Sequence, residues 1–180
     1  MTRELARDAA AYAYFGGWYR NLGFWVVATY RLGAWARTLP LVPRLPVLVV
    51  YWVLRLPWRL FLHVELPTSA HIGGGLVVVH PYNILIGADV RLGEDCALFH
   101  EVTVGMGPRP GAPQIGSRVA LFAGARVLGG VRIGDGSEIG ANCVVTSDVP
   151  PASIVAPAPT RAIPKTLLRV PEGKDGVVAR

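Results

Sequence analysis

The sequence predicts a mainly β protein, a parallel β-helix preceded by a short helical N-terminal region, and three observations predict it. The first is a six-residue period. Ile86, Leu92, Leu98 and Val104 open four successive units, and after an interruption Ile115, Leu121, Val127, Ile133, Ile139 and Val145 open six more. The second is a small or apolar residue four places after most openers, as at Val90, Cys96, Val102, Val119, Ala125, Val131, Ser137, Cys143 and Val149. The third is Gly directly after the opener, at Gly87, Gly93, Gly105, Gly116, Gly134 and Gly140. A strict period of six fits neither a helix nor the alternation of an ordinary sandwich strand. Each unit reads as a short strand and a corner, with two inward residues stacking on those of the next coil. The glycines suit corners, where positive φ or close backbone approach is needed.

Residues 1–64 are a different material. They hold eight Arg against Glu4 and Asp8, a net charge of +6, while residues 65–180 balance ten basic against ten acidic side chains. All five Trp and 13 of the 16 aromatic residues also lie before residue 65. Thr2 is placed to cap a first helix running to about Phe15, broken at Gly16 and Gly17. A second helix is predicted over residues 22–38, carrying Trp25, Tyr30 and Trp35 among Arg20, Arg31 and Arg37. A segment rich in Pro follows. Pro46 suits the first turn of a third helix, and Pro57 is expected to kink or end it. The uncharged run from 45 to 54 is ten residues, half of what a membrane span requires. Two readings fit this basic, Trp-rich region: a helix lying in a membrane interface, or a packing element that caps the β-helix or joins subunits.

Glu65 begins the β-helix, with Ile72 and Val78 opening its first units. The register slips by two at His80, Pro81, Tyr82 and Asn83. A longer interruption separates Val104 from Ile115, eleven residues where six would do, and it is composed of turn residues. It is expected to project as a loop from one corner, and loops on rigid scaffolds often carry function. The Pro-rich tail, residues 164–180, is expected to be partly disordered. Cys96 and Cys143 fall on the small inward position, so they read as packing residues outside any disulfide framework. Glu4 and Asp8 precede any apolar run, which argues against a secretory signal. The expected location is cytoplasmic, peripheral on the inner membrane face if the helices bind lipid. No nucleic-acid partner is predicted.

The stretch from Glu65 to Ile163 resembles the serine acetyltransferase family of hexapeptide-repeat acyltransferases. The matching pieces are the run Gly75 to His80, Ile84-Leu85-Ile86-Gly87, Val102-Thr103-Val104-Gly105, the run Ala123 to Gly129, the run Ile139 to Val145, and the run Ala158 to Ile163. The resemblance implies a left-handed β-helix of about five coils, three units to a coil, spanning residues 65–163 and stacked roughly 4.8 Å apart. It also implies a homotrimer with sites between subunits. On that match His80 is the general base: an acetyl thioester is already activated, so the enzyme need only take the proton of an attacking hydroxyl. Glu65 stands where the family has an Asp that orients this His and stabilises the imidazolium. Acetyl-CoA is implied as donor, lying in the groove alongside the coils. Gly105, Ala123 and Ala141 are the small residues that admit its pantetheine arm, and Arg126 and Arg161 match basic positions near the nucleotide phosphates. A backbone N–H near Gly105 is placed to serve the oxyanion. His100 lines the pocket from a neighbouring coil, while His63 and His71 read as structural or exposed. No metal is expected, because His71, His80 and His100 offer no closely spaced ligand pair.

Two departures concern the acceptor. Where the family has an Asp immediately before the His, this chain has Val79, and where its loop has an Arg-His pair before Pro, this chain has Gly111-Ala112. Arg109 and Glu101 are the candidates to replace the missing charges. The expectation is therefore an acetyl-CoA-dependent O-acetyltransferase acting on a saccharide or lipid-linked glycan hydroxyl, as in polysaccharide biosynthesis. The alternatives are a serine O-acetyltransferase and a non-catalytic membrane-associated scaffold.

Overall fold

The structure is a computed structural model that describes residues 2–159. Three helices lead the chain. Helix α1 (Thr2–Ala11) tightens into a 3-10 turn, Tyr12–Phe15, and ends at Gly16, whose φ of 81° is the left-handed cap that glycine adopts freely. Helix α2 spans Leu22–Ala36. Helix α3 spans Leu41–Phe61 and carries both Pro46 and Pro57 inside it. The expected start at Pro46 is thus corrected, and Pro57 does not end the helix. Pro43 lies in the N-terminal turn, where a missing N–H costs least, while Pro46 lies inside the helix one turn further on. Beyond Pro57 the helix is held by packing, since the Trp58 indole N–H donates to Thr29 Oγ1 at 3.0 Å and Trp58 and Leu62 both pack against the core.

From residue 71 the chain winds through three faces of parallel strands. The first face stacks β1 (His71–Ile72), β4 (Arg91–Leu92), β7 (Gln114–Ile115) and β10 (Arg132–Ile133). The second stacks β2 (Val77–Val78), β5 (Ala97–Leu98), β8 (Ala120–Leu121), β11 (Glu138–Ile139) and β13 (Ile154–Val155). The third stacks β3 (Leu85–Ile86), β6 (Thr103–Gly105), β9 (Arg126–Leu128) and β12 (Val144–Val145). Faces of four, five and four strands make about four turns, close to the coil count expected. Two corner insertions consume chain without adding rungs, and the ends contribute single bridges, Glu65 to Leu85 and Val149 to Ile133.

The predicted openers form the core columns. Ile72, Leu92, Ile115 and Ile133 stack in register on the first face, and Val78, Leu98, Leu121 and Ile139 on the second. Leu98, Leu121, Val127 and Ile139 have no exposed surface. None of the glycines after the openers has positive φ, and all but Gly105, which has open space at the Cβ position, owe their place to close approach. A Cβ on Gly93 would sit 2.5 Å from the backbone of Gly116 in the next coil. Positive φ falls instead three residues after the opener, at Asp89, Asp95, Glu101, Arg118 and Asn142 among others. The short polar Asp and Asn tolerate that conformation best.

The helices close the first coil from above. Asp8 and Arg31 are both buried and ion-paired at 2.9 Å. The Arg31 guanidinium also donates to the carbonyls of Ile72 and Gly73, and Asp8 Oδ1 accepts the N–H groups of Gly75 and Leu76. Val26, Val27 and Tyr30 join the β-helix core, so α2 shares that core with the coils.

Candidate active site

The corner between the second and third faces carries the predicted base. Strand β2 ends at Val78, and the chain bends through His80, Pro81, Tyr82 and Asn83 before β3 begins. The bend is fixed by backbone hydrogen bonds: Val79 N–H donates to the Leu98 carbonyl at 2.9 Å and Tyr82 N–H to the His80 carbonyl at 2.8 Å. Asn83 supplies the positive φ the slip requires, 50°. His80 stands exposed at this corner. His100 occupies the same corner one coil on, its ring centroid 5.8 Å from that of His80. Ala123 and Ala141 continue the column, linked by hydrogen bonds from Gly124 N–H to the His100 carbonyl and from Asn142 N–H to the Ala123 carbonyl. One edge therefore presents two imidazoles followed by two methyl groups, open enough for a slender ligand to lie along it.

Phe99 and Phe122 stack on each other beside this edge, their centroids 5.0 Å apart, and Phe99 lies 6.5 Å from the His80 ring. Sequence reasoning missed them. The signal was present: the position after the opener, Gly in most units, reads Val79, Phe99, Phe122 and Gly140 down the second face. Val79 is half-buried and packs against the cluster of Tyr12, Phe24 and Val77.

Glu65 lies on the outward column of the third face, beside Leu85, with Thr103, Arg126 and Val144 in the rungs beyond. Its carboxylate takes an ion pair from Arg59 at 3.1 Å, and among the described residues no hydrogen bond joins it to His80. Gly105 ends β6 at the far corner of the third face, and the 106–113 loop leaves from there. The loop folds onto the next coil, with Gly130 N–H donating to the Arg109 carbonyl at 2.9 Å. The Arg109 guanidinium pairs with Asp148 at 2.8 Å. Within one chain, then, His80, His100, Ala123 and Ala141 come together, Arg126 lies on the face between, and Gly105 and Arg109 form a second cluster at the opposite corner. Arg161 lies outside the described residues, as does the 164–180 tail.

The Asp148 carboxyl is held below the usual carboxylate range, first by the Arg132 backbone N–H and then by Arg109. A depressed folded value makes this anchorage complete above about pH 5 and lost as the pH falls below the ordinary Asp value of about 3.9. The amide NMR shifts of Gly111 and Ala112 should therefore hold steady from pH 8 to about 5 and move in acid. Unchanged shifts throughout would place the loop's anchor elsewhere. Cys96 cannot serve as a nucleophile here, because burial pushes its thiol up to about 11. Among the described residues no three His, Cys, Asp or Glu side chains are grouped to hold a metal ion.

Comparison with known proteins bears on the coil architecture. Residues 112–147 match the model of the bacterial transferase hexapeptide (six repeats). Serine acetyltransferase of Helicobacter pylori is 39% identical over 110 residues, which are 59% of this chain and 64% of that protein. A solved serine acetyltransferase in complex with CoA superposes with a TM-score of 0.72 at 25% identity, covering 89% of this chain and 68% of the other. Over its β-helix the chain is similar to the hexapeptide-repeat serine acetyltransferases. The Neisseria gonorrhoeae serine acetyltransferase solved in complex with serine superposes with a TM-score of 0.68 at 25% identity, covering 89% of this chain and 68% of that one. The chain spans between about half and two thirds of the length of the curated relatives it matches.

Proposed function

We propose that this chain is an acetyl-CoA-dependent O-acetyltransferase in which His80 is the general base. The observation that carries the reading is the His80 corner: an exposed imidazole heading an edge of small side chains along which a thioester arm can lie. In the reaction the acceptor hydroxyl attacks the thioester carbonyl as its proton passes to the imidazole. The tetrahedral oxyanion then collapses, and the coenzyme A thiolate leaves and takes the proton back. A backbone N–H near Gly105 serves the oxyanion. Arg126 is the described candidate to meet the donor's phosphates, with Arg161 assigned there by the resemblance alone, and Glu65 orients His80 once the imidazole draws it from Arg59. Because the His80 and Gly105 edges sit at opposite ends of the third face, one site using both needs a second copy, which favours a homotrimer with sites between subunits.

The relatives are serine acetyltransferases, and that supports L-serine as acceptor. The saccharide expectation draws no support from the comparisons. A second reading, a neutral hydroxyl acceptor, rests on one observation: Val79 is an apolar residue packed beside the base, and the loop positions Gly111 and Ala112 carry no charge to meet a zwitterion. A screen of acetyl-CoA with L-serine, monosaccharides and simple alcohols, read as thiol release, separates the two. L-serine should be acetylated fastest. A saccharide outpacing L-serine by about tenfold or more, a difference of roughly 1.4 kcal/mol, would install the second reading instead.

A further inference from the structure

Helix α3 wears its amphipathicity inside out. Its inward stripe, Arg44, Val47, Leu48, Tyr51, Arg55 and Trp58, is buried or half-buried and holds two of the helix's three arginines. Its outward face is apolar: Val49, Trp52, Val53, Leu56 and Leu60 each expose between 54% and 65% of their surface. A helix covering a soluble domain shows the opposite arrangement, and apolar patches of this extent mark an interaction surface. By length and composition the helix is long and apolar enough to cross a membrane, with 6% of its most apolar window buried in the protein.

We infer that the outward face of α3 docks in the plane of an anionic lipid leaflet. The charge pattern selects this occupant over a second copy. No Asp or Glu occurs between Asp8 and Glu65, while Arg20, Arg31, Arg37, Arg44, Arg55 and Arg59 all do. Arg31 and Arg59 are already paired with Asp8 and Glu65; to Arg20, Arg37, Arg44 and Arg55 a second α3 would bring more arginines and no carboxylate, whereas anionic headgroups supply counter-charge. Arg55 lies 5.1 Å over the Trp52 ring, a cation beside an aromatic at the level where headgroups meet acyl chains. Beside the face is an apolar cavity of about 390 Å³, walled in part by the exposed Trp25 and Leu54 and able to receive the end of an acyl chain. Spanning is disfavoured because the other side of α3 holds α2, which belongs to the β-helix core. The inference stands whether or not the acceptor is serine.

The test is flotation of the full-length protein with phosphatidylcholine vesicles, with and without phosphatidylglycerol, beside sedimentation of the lipid-free protein. Wild type should float with the anionic vesicles, less so at high salt, and Trp52 should be quenched by brominated acyl chains. Val49→Glu with Val53→Glu, both exposed, should cut flotation at least about tenfold and leave the sedimenting mass unchanged. Wild type that fails to float with anionic vesicles overturns the inference. So does a double variant that keeps its flotation, or one that changes the oligomer and leaves flotation intact, the last meaning that a second copy covers the face.

Discussion

His80→Ala should lower turnover at least about a hundredfold, the low end of what a positioned general base contributes, and leave coenzyme A affinity and assembly nearly unchanged. The side chain is exposed, and the corner it occupies is set by backbone hydrogen bonds of Val79 and Tyr82 that alanine retains. The loss should therefore fall on kcat and spare KM, as expected of an interaction made only in the transition state. Glu65→Gln should be milder. Its amide can still hold the imidazole but cannot stabilise the cation, so its mark should be a changed pH profile as well as a slower rate. Turnover at the wild-type level in His80→Ala would take that residue out of the mechanism.

The largest effect on stability is expected from Asp8→Ala. Asp8 is fully buried and accepts four hydrogen bonds, two from the Arg31 guanidinium and two from the N–H groups of Gly75 and Leu76. Removing it strands a guanidinium that is 3% exposed and leaves two buried N–H groups without an acceptor. Breaking one side of a buried pair costs about 3–5 kcal/mol. In a protein of this size that is a fall in Tm of roughly 6–20 °C. Arg7→Ala is the matched control: its pairs with Glu94 and Asp95 are solvent-exposed, and surface ion pairs contribute little, so Tm should barely move. If the two variants melt together, α1 is not fastened to the first coil through Asp8.

The repeat was legible because two inward positions per unit must stack coil upon coil, which forces a strict period on the sequence. Every opener from Ile86 to Val145 is buried as that period requires. The helices were less legible. Proline sets local preference, yet α3 runs through Pro46 and Pro57 because Tyr51 and Trp58 are packed on its inward side. That misreading hid a second fact: only a helix continuing past Pro57 brings Arg59 onto Glu65. Of the site, the His80 corner could be read from the register slip, and His100, Ala123 and Ala141 do join it. The placement of Gly105 and Arg109 at the opposite corner could not, since the slip and the loop insertion both interrupt the count that assigns a residue to a face. The Asp8–Arg31 pair left no local pattern, because its partners lie 23 residues apart on separate helices.

The most direct measurement of the central claim is acetyl transfer itself: purified full-length protein, acetyl-CoA and L-serine, with free thiol and O-acetyl ester quantified together. The account predicts one ester for each thiol released, at a rate that collapses in His80→Ala. Thiol release without ester on any hydroxyl acceptor, or equal rates in wild type and His80→Ala, would contradict it.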